Sequence, residues 1–483
     1  MGIRGLLWRH SLFIILFLMC CTPGQLFAKS WWTQAAEPYE GITLRGISES
    51  TTSSRYVKDV LCKKFEDETG IKVELELLPW TDMHDRSIQD MATNTGVYDF
   101  VYVEQDIISA YLKQQYLVDL TVALDNNARL RAPDFSFDNF TSFLDYFRDV
   151  QKGHVYAIPM ESFLKVLVYQ KQLFEDPTIQ AAFVKEYGYA LAPPETPAQY
   201  RDIAAFFTAW GKQHGLELWG STQQASLEHP AAFYELVESI FPMFGLYNWG
   251  INPKTLRASQ VNGGTLNSEL AKKAFRFWLD MLQYSPPEAY GSTWDETVLT
   301  YASGRAAMML IYTENLPWIA TDPIRSKIVG NIGIALPPLV PGVLKNAEQG
   351  KGYIGYYDGG AFGLPKDSRN QEATLLWLQY IGRPELQVDW ALNSGRVVHR
   401  ATLDDPQVKA QDKRFGGYFT LLQKYGDLFA GAPPFEFHAA VRDVISPYIT
   451  MAIRKELTPE EALDQAAVAV DTTLQEMGYG SHS

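Results

Sequence analysis

The sequence predicts an α/β fold with a parallel sheet, because strand-like and helix-like hydrophobic patterns alternate along residues 42–115. Apolar and polar side chains alternate in the strand-like segments, whereas apolar side chains recur every three or four residues in the segments between them. Parallel strands need crossover connections, and helices usually provide them. With 483 residues, 46% hydrophobic and 20% charged, the chain is long enough to form two or three lobes with well-developed cores.

Three strands are predicted in this region, and a helix follows each of them. The first strand covers residues 42–47, and its helix ends at Gly70, because glycine readily takes the left-handed conformation found beyond a helix C-terminus. Apolar residues alternate again from Ile71 to Leu77, which indicates the second strand. The remaining predicted elements of this region are a helix over 82–93, a strand over 98–103 and a helix over 107–115.

The rest of the chain is predicted to be rich in helices. The last helix begins at Thr458, whose side chain and that of Glu461 form a capping box around a proline in the first helical position. Cys62 falls on the apolar face of the first helix, which predicts a buried, unreactive thiol. Further helices are predicted at residues 198–214, 231–241, 268–284 and 294–303.

Residues 1–28 have the features of a secretory signal peptide. Basic residues precede a short apolar segment at 11–21, and Ala28 supplies a small residue at the expected cleavage site. Lipoprotein anchoring at Cys20 or Cys21 is the less favoured alternative, because the residue before either cysteine is larger than such a site normally accepts. We therefore expect a periplasmic protein.

Charge and motif content argue against several classes of function. The net charge of −14 argues against nucleic acid or an anionic membrane as the main partner. The sequence contains no His-Glu-x-x-His, Gly-x-Ser-x-Gly or Cys-x-x-Cys motif, and its eight histidines are scattered, so we expect no metal site and no cofactor. A secreted glycoside hydrolase stays open as an alternative, because such enzymes also use paired carboxylates and aromatic residues.

Six segments in order along the chain carry a resemblance to a known family. They are 63–73 (KKFEDETGIKV), 98–106 (YDFVYVEQD) with 117–120 (LVDL), 153–159 (GHVYAIP) with 168–174 (VYQKQLF), 302–308 (ASGRAAM), 359–368 (GGAFGLPKDS) and 395–400 (GRVVHR). Together they resemble the family 1 extracellular solute-binding proteins of ABC importers, the maltose- and trehalose-binding group.

The resemblance implies a periplasmic binding protein type 2-like fold, in which two α/β lobes are joined by hinge segments and close on a ligand between them. It also implies the boundaries of the lobes. Lobe I is expected to comprise residues 41–155 and 307–352, and lobe II residues 156–306 and 353–483.

Polar and aromatic side chains directly follow the first three predicted strands. Glu49 follows the first, Trp80 the second and Asp106 the third. Because ligands of open α/β sheets bind at the carboxyl ends of the strands, we expect these side chains to line a binding site. Sugar rings have apolar faces and a rim of hydroxyls, which aromatic platforms and carboxylates bind, so Trp249 and Trp294 in polar loops are further candidates.

The resemblance adds four candidate ligand contacts. Glu161 falls at the expected hinge, and Glu314 follows an apolar strand at residues 308–311 where the family often carries a cleft segment. Arg400 falls where the family's terminal arginine often reaches the ligand. Many relatives carry a tryptophan directly after the glycine pair at this point of the chain, whereas Phe362 occupies that stretch here. Either Phe362 is the platform, or the subsite is remodelled with Tyr356 and Tyr357.

Each candidate also has a structural alternative. Asp106 is suited to cap the following helix, Glu161 to pair with Lys165, and Glu314 to pack within its loop. Arg400 is suited to a surface salt bridge. Tryptophans in loops also commonly fill gaps in a protein core.

The combined expectation is a periplasmic, monomeric substrate-binding component of an ABC transporter, not an enzyme. It captures a small carbohydrate or polyol and delivers it to the permease. The alternatives are a secreted carbohydrate-active hydrolase and a binding protein for a non-sugar solute that feeds a sensor. The acidic candidates favour cationic ligands over anionic ones.

Overall fold

Residues 29–480, the part of the chain that a computed structural model describes, contain two mixed β-sheets. The predicted signal peptide, residues 1–28, lies outside the described residues. The strands are β1 (Thr43–Glu49), β2 (Lys72–Leu78), β3 (Phe100–Glu104), β4 (Ala157–Pro159), β5 (Phe163–Gln170), β6 (Trp219–Thr222), β7 (Ala306–Tyr312), β8 (Ile332–Ala335), β9 (Tyr357–Asp358) and β10 (Gly360–Gly363).

Helices connect and flank these strands, and two π-helical turns, Val57–Leu61 and Glu235–Ile240, lie within longer helical segments. None of the helices between residues 29 and 480 combines enough length with enough apolar character for a bilayer crossing. The α-helices are α1 (Trp31–Ala36), α2 (Thr52–Tyr56), α3 (Cys62–Thr69), α4 (Trp80–Thr93), α5 (Ile108–Lys113), α6 (Leu120–Asn126), α7 (Lys171–Glu175), α8 (Pro177–Tyr187), α9 (Pro197–His214), α10 (Ala231–Tyr234), α11 (Phe241–Met243), α12 (Glu269–Met281), α13 (Trp294–Ala302), α14 (Leu316–Thr321), α15 (Val343–Glu348), α16 (Gln371–Ile381), α17 (Pro384–Ser394), α18 (Pro406–Gln411), α19 (Tyr418–Tyr425), α20 (His438–Ile453) and α21 (Pro459–Glu476).

Local sequence signals predicted several of these elements correctly. The helical segment from α2 to α3 ends at Gly70, which has a left-handed φ of 71°. The capping box of α21 is present, because the Thr458 hydroxyl accepts a hydrogen bond from the Glu461 N–H and the Glu461 carboxylate accepts one from the Thr458 N–H. Cys62 is buried, and burial raises the pKa of its thiol to about 12, as expected of an unreactive cysteine.

The first sheet has the strand order β2-β1-β3-β10-β4. Strand β1 runs parallel to β2 and β3, which confirms the predicted parallel arrangement of residues 42–115. Strand β10 is antiparallel to both β3 and β4 and lies between them. The polar ends of β1, β2 and β3 therefore meet at one edge of this sheet.

The second sheet has the order β6-β7-β5-β8, and β9 pairs with the start of β5. All seven residues of β7 are buried, as expected for a strand covered on both faces. The predicted boundaries place β7 and β8 in lobe I, but both strands pair with β5 in the second sheet. They also place β10 in lobe II, although it belongs to the first sheet. Hydrogen bonding between strands therefore corrects both boundaries.

The chain passes between the sheets at two adjacent crossings, one from β4 to β5 and the other from β9 to β10. The two crossings are joined by backbone hydrogen bonds, since the N–H groups of Met160 and Glu161 donate to the carbonyl of Gly360 at 2.9 and 3.0 Å. Gly359 lies in the second crossing with a φ of 132°, and a Cβ there would lie 2.3 Å from the Glu161 carbonyl oxygen. The crossing therefore requires glycine at this position.

Arg396 is buried against these crossings, with 1% of its surface exposed. Its Nε donates to the carbonyl oxygen of Met160, and one terminal nitrogen donates to Gln387 Oε1 at 2.8 Å. The guanidinium lies 3.3 Å from the centroid of the Trp390 ring. Burial lowers the pKa of Arg396, whereas the charge of nearby Glu161 opposes that shift. Arg396 therefore fastens the first crossing to α17.

Candidate ligand-binding cleft

A cavity of about 420 Å³ lies between the two sheets. One wall is formed by the ends of β1 and β3 and the start of α4. The other wall is formed by α10 with its π-helical turn, α13 and the end of β7, and residues just before β10 close the inner side. The predicted candidates Glu49, Trp80, Asp106, Trp294 and Glu314 all line this cavity.

The first-lobe wall combines an indole with closely spaced carboxylates. The Trp80 indole N–H donates to Glu104 Oε2 at 2.6 Å, and the indole stacks on the His84 ring with 5.2 Å between ring centroids. Burial raises the pKa of Glu104 well above its usual value, and repulsion from Asp106 and Glu49 adds to this shift. Burial likewise raises the pKa of Glu49. Glu49 and Glu104 therefore hold their protons to a higher pH than exposed carboxyl groups do, which limits the negative charge on this wall.

Asp106 links the two lobes and does not cap a helix. The residue preceding α5 is Ile107, and no side chain caps that helix. One Asp106 oxygen, Oδ2, lies 2.8 Å from Nε2 of His438, at the start of α20. Burial acts to raise the pKa of Asp106, but the contact with His438 and the positive charge of Arg442 outweigh it, so the net shift is downward. Its other oxygen, Oδ1, is buried and has no hydrogen-bond partner among residues 29–480.

Tyrosines dominate the aromatic surface of the second-lobe wall. The Tyr312 hydroxyl donates to Glu238 Oε2 at 3.3 Å, and the Tyr312 ring packs edge-on against Phe163. The Tyr356 hydroxyl accepts a hydrogen bond from Gln105 Nε2 at 2.5 Å. The Tyr234 hydroxyl is buried without a partner among the described residues. Burial raises the pKa of Tyr234, Tyr312 and Tyr356 well above the usual value, so all three phenols keep their protons.

Three further carboxylates lie opposite the first-lobe wall. Glu238, in the π-helical turn, is 2% exposed, and its Oε1 has no hydrogen-bond partner within the described chain. Glu314 accepts from the Asn315 side-chain amide at 2.6 Å through one oxygen, while the other has no partner in the part of the chain that the structure describes. Asp358 Oδ1 accepts from the Gly359 N–H at 2.7 Å, and burial followed by repulsion from Asp106 raises the pKa of Asp358 to about 8.

The outer rim is formed largely by the start of α13. Trp294 lies there with its ring edge-on to His229, at 4.9 Å between centroids. Asp295 and Glu296 are exposed beside it. Two exposed arginines, Arg55 and Arg325, complete the charged groups of the lining. Between residues 29 and 480, no group of three or more His, Cys, Asp or Glu side chains is arranged to hold a metal ion.

Two of the predicted aromatic platforms are core residues. Trp249 is 1% exposed and packs against Phe233 and His438, with centroid distances of 5.4 and 4.6 Å. Phe362 is fully buried and packs edge-on against Phe100 in the first sheet. These contacts favour the core interpretation of Trp249. Phe362 is not a platform, because its side chain points into the sheet packing and not into the cleft.

Two predicted polar contacts also lie outside the cavity lining. Glu161, in the first crossing, accepts hydrogen bonds from the Tyr102 hydroxyl at 2.7 Å and the Thr51 hydroxyl at 2.9 Å. It does not pair with Lys165, which lies 2.5 Å from Glu235. Arg400 is exposed and donates through Nε to the carbonyl oxygen of Phe140 at 3.1 Å.

Several lining residues carried weaker sequence signals. Glu104 ends the same strand that precedes Asp106, so the rule about strand ends applied to it as well. Tyr312 directly precedes the Glu314 loop, and Asp358 directly precedes the glycine pair. No sequence pattern pointed to Glu238 as a site residue, because a glutamate within a helical segment is usually exposed to solvent.

Comparison with known proteins identifies the family. Residues 48–388 match the sequence profile of the bacterial extracellular solute-binding proteins. A probable amino-acid ABC transporter periplasmic-binding protein of Sinorhizobium fredii is 19% identical over 460 residues, which cover 94% of each chain.

Solved structures share the fold over most of the chain. An ABC transporter solute-binding protein of Agrobacterium radiobacter K84 in complex with ribitol has a TM-score of 0.71 at 20% identity, covering 90% of this chain and 99% of the other. Maltose-bound MalE3 of T. maritima has a TM-score of 0.72 at 18% identity, covering 90% and 100%. Because the profile match extends over most of its length, the chain belongs to the family of bacterial extracellular solute-binding proteins.

Proposed function

We propose that this protein is the periplasmic solute-binding component of an ABC importer and that its cleft captures a small carbohydrate or polyol. One observation carries the choice of ligand class: the cavity places aromatic rings beside buried oxygens that have no partner in the described chain. Hydroxyl groups of a sugar satisfy such oxygens, while the rings pack on its apolar faces. The ribitol and maltose complexes of proteins with the same fold agree with this choice.

The proposed mechanism is closure of the two lobes on the ligand. A solute that contacts Trp80 on one wall and Tyr312 on the other stabilises the closed arrangement, and the crossings beside Gly359 act as the hinge. The protein acts as a monomer that makes and breaks no covalent bond, and it passes the solute to a membrane permease. The predicted signal peptide supports a periplasmic location.

A thermal-shift screen of residues 29–483 against sugars, polyols, amino acids and polyamines tests this function. A ligand at about 100 times its dissociation constant adds about 2.7 kcal/mol to the unfolding free energy. We expect a shift with members of the sugar or polyol class and recovery of the unchanged ligand. A cleaved sugar would support the hydrolase alternative instead, and a shift confined to amino acids or polyamines would contradict the ligand class.

The Trp80→Ala variant is expected to weaken binding of the sugar or polyol found in that screen by about 10- to 100-fold, the effect typical of an aromatic anchor residue. Trp80 is only partly buried, so the melting temperature without ligand should change little. Titration calorimetry measures the affinity. Trp210→Ala is the matched control, because Trp210 is also partly buried but stacks on His214 of α9, outside the cavity. Equal losses in both variants would count against a platform role for Trp80.

A further inference from the structure

The cavity lining contains many more carboxyl groups than basic groups. Eight carboxylates line it against two arginines, and both arginines are exposed at the rim. Asp106 and Glu238, in contrast, are 6% and 2% exposed. A neutral sugar would satisfy hydrogen-bonding groups in this part of the cleft, but it would supply no positive charge to favour the ionised form of carboxyl groups whose pKa burial raises.

Three nearby basic groups of the protein, His438, Lys165 and Arg442, already have partners. Arg442 Nε lies 2.9 Å from Asp443 Oδ1, and its guanidinium lies 5.6 Å from the centroid of the Trp80 ring. His438 contacts Asp106 through Oδ2 only. Lys165, whose ammonium lies 4.4 Å from the centroid of the Tyr312 ring, is paired with Glu235 and does not line the cavity. The inner carboxylates therefore have room for an external cation, and Asp106 Oδ1 and Glu238 Oε1 are two of the buried oxygens of the lining that have no partner among residues 29–480.

The inner groups also form a connected structure that would hold a cation in a fixed place. The Gln105 side chain joins the end of β3 to Tyr356, and its Oε1 accepts from the Ala432 N–H at 3.0 Å. The Tyr312 hydroxyl is bonded to Glu238. An ammonium group supplies three donors and no acceptor, which suits carboxylate oxygens, and the surrounding phenol rings favour a cation through their π faces.

We propose that the natural ligand is an aminated sugar or polyol, and that its positively charged nitrogen lies among Asp106, Glu238 and Asp358. This inference rests on the proposed function and specifies the substrate class of the same cleft. The hydroxyl-bearing part of the ligand would pack on Trp80 and Tyr312. The ammonium group of the ligand would be the positively charged partner of the inner carboxylates.

Matched pairs of neutral and aminated compounds test the inference. D-Glucitol against 1-amino-1-deoxy-D-glucitol, and D-glucose against D-glucosamine, differ in one amino group. We expect the aminated member of at least one pair to bind at least about tenfold more tightly at pH 7 by titration calorimetry. If the neutral members bind as well as the aminated ones, the proposed function stands and this inference is overturned. If no sugar, polyol or aminated derivative binds, both are overturned.

Two isosteric variants locate the charge. Glu238→Gln and Asp358→Asn should each weaken binding of the aminated compound by about 30-fold or more, the loss typical when one partner of a buried charge pair is neutralised. Binding of the neutral member should fall much less than binding of the aminated one, because the amide keeps the shape and one acceptor oxygen of the side chain and removes only its charge.

Asp295→Asn is the matched control, since it removes the same charge from the exposed rim of the cavity. A loss in this variant comparable to that in the inner variants would indicate long-range attraction and would contradict a specific inner site. Circular dichroism spectra of all three variants establish that they are folded, so a selective loss of the aminated ligand cannot be attributed to misfolding.

Discussion

An Arg396→Met variant is expected to lose about 3–5 kcal/mol of unfolding free energy, the usual effect of removing one partner from a buried charged network. Arg396 donates to the carbonyl of Met160 and to Gln387, and its charge stabilises buried Glu161. Methionine approximates the length of the side chain but supplies neither donors nor charge. The Met160 carbonyl and the Gln387 side chain would then lose their hydrogen-bond donor, and buried Glu161 would lose its nearby positive charge. Urea denaturation followed by tryptophan fluorescence measures the loss.

The loss should be larger at pH 8 than at pH 5. Burial already raises the pKa of Glu161, and removal of the arginine raises it further. The folded variant then binds a proton that the unfolded chain releases, so its unfolding free energy falls as the pH rises. Arg400→Met is the control, because Arg400 is exposed and should cost at most about 1 kcal/mol. Equal losses in the two variants would show that Arg396 does not fasten the crossing.

The Trp249→Ala variant is expected to lose about 3–5 kcal/mol, because it leaves a large cavity in the core of the second lobe. Trp249 is 1% exposed and packs against Phe233 and His438. Trp80→Ala should retain nearly full stability, so the two tryptophan variants separate packing from ligand contact. Thermal and urea unfolding of both variants, with and without ligand, provide the comparison.

The opposite result for Trp249→Ala would support the sequence-based prediction that Trp249 contacts the ligand. If Trp249→Ala kept its stability but lost affinity for the ligand, the tryptophan would be acting as a platform. Because His438 contacts both Trp249 and Asp106, a small secondary loss of affinity is compatible with the core role. The stability measurement therefore decides between the two roles.

Local patterns were sufficient to predict the parallel part of the first sheet. Alternation in β1, β2 and β3 and helical spacing between them depend on neighbours along the chain, and the position of Glu49, Trp80 and Asp106 follows from the order of these elements. The pairing of β7 with β5 and the place of β10 depend on contacts between distant segments. Periodicity in a single sequence carries no information about such partners.

The residues of the candidate site also fall into two groups, those that local sequence patterns predict and those that depend on tertiary packing. Strand ends identify an edge of a sheet, so the residues there were predicted from the sequence. Glu238 and Tyr234 reach the cleft from a helical segment, and only the packing of the second lobe shows which face of that segment is inward. Trp249 and Phe362 are buried outside the cavity lining, and residue type alone does not tell a core aromatic from an exposed one.

The place of β10 has a consequence for the order in which the molecule assembles during synthesis. Strands β3 and β4 are made early, but the strand that pairs with both emerges only after every strand of the second sheet. Joining segments so far apart carries a larger loop-closure entropy than local pairing and slows folding. We therefore expect the second sheet to form before the first one is complete, so that the N-terminal part of a growing chain stays unfinished until translation has passed Gly363.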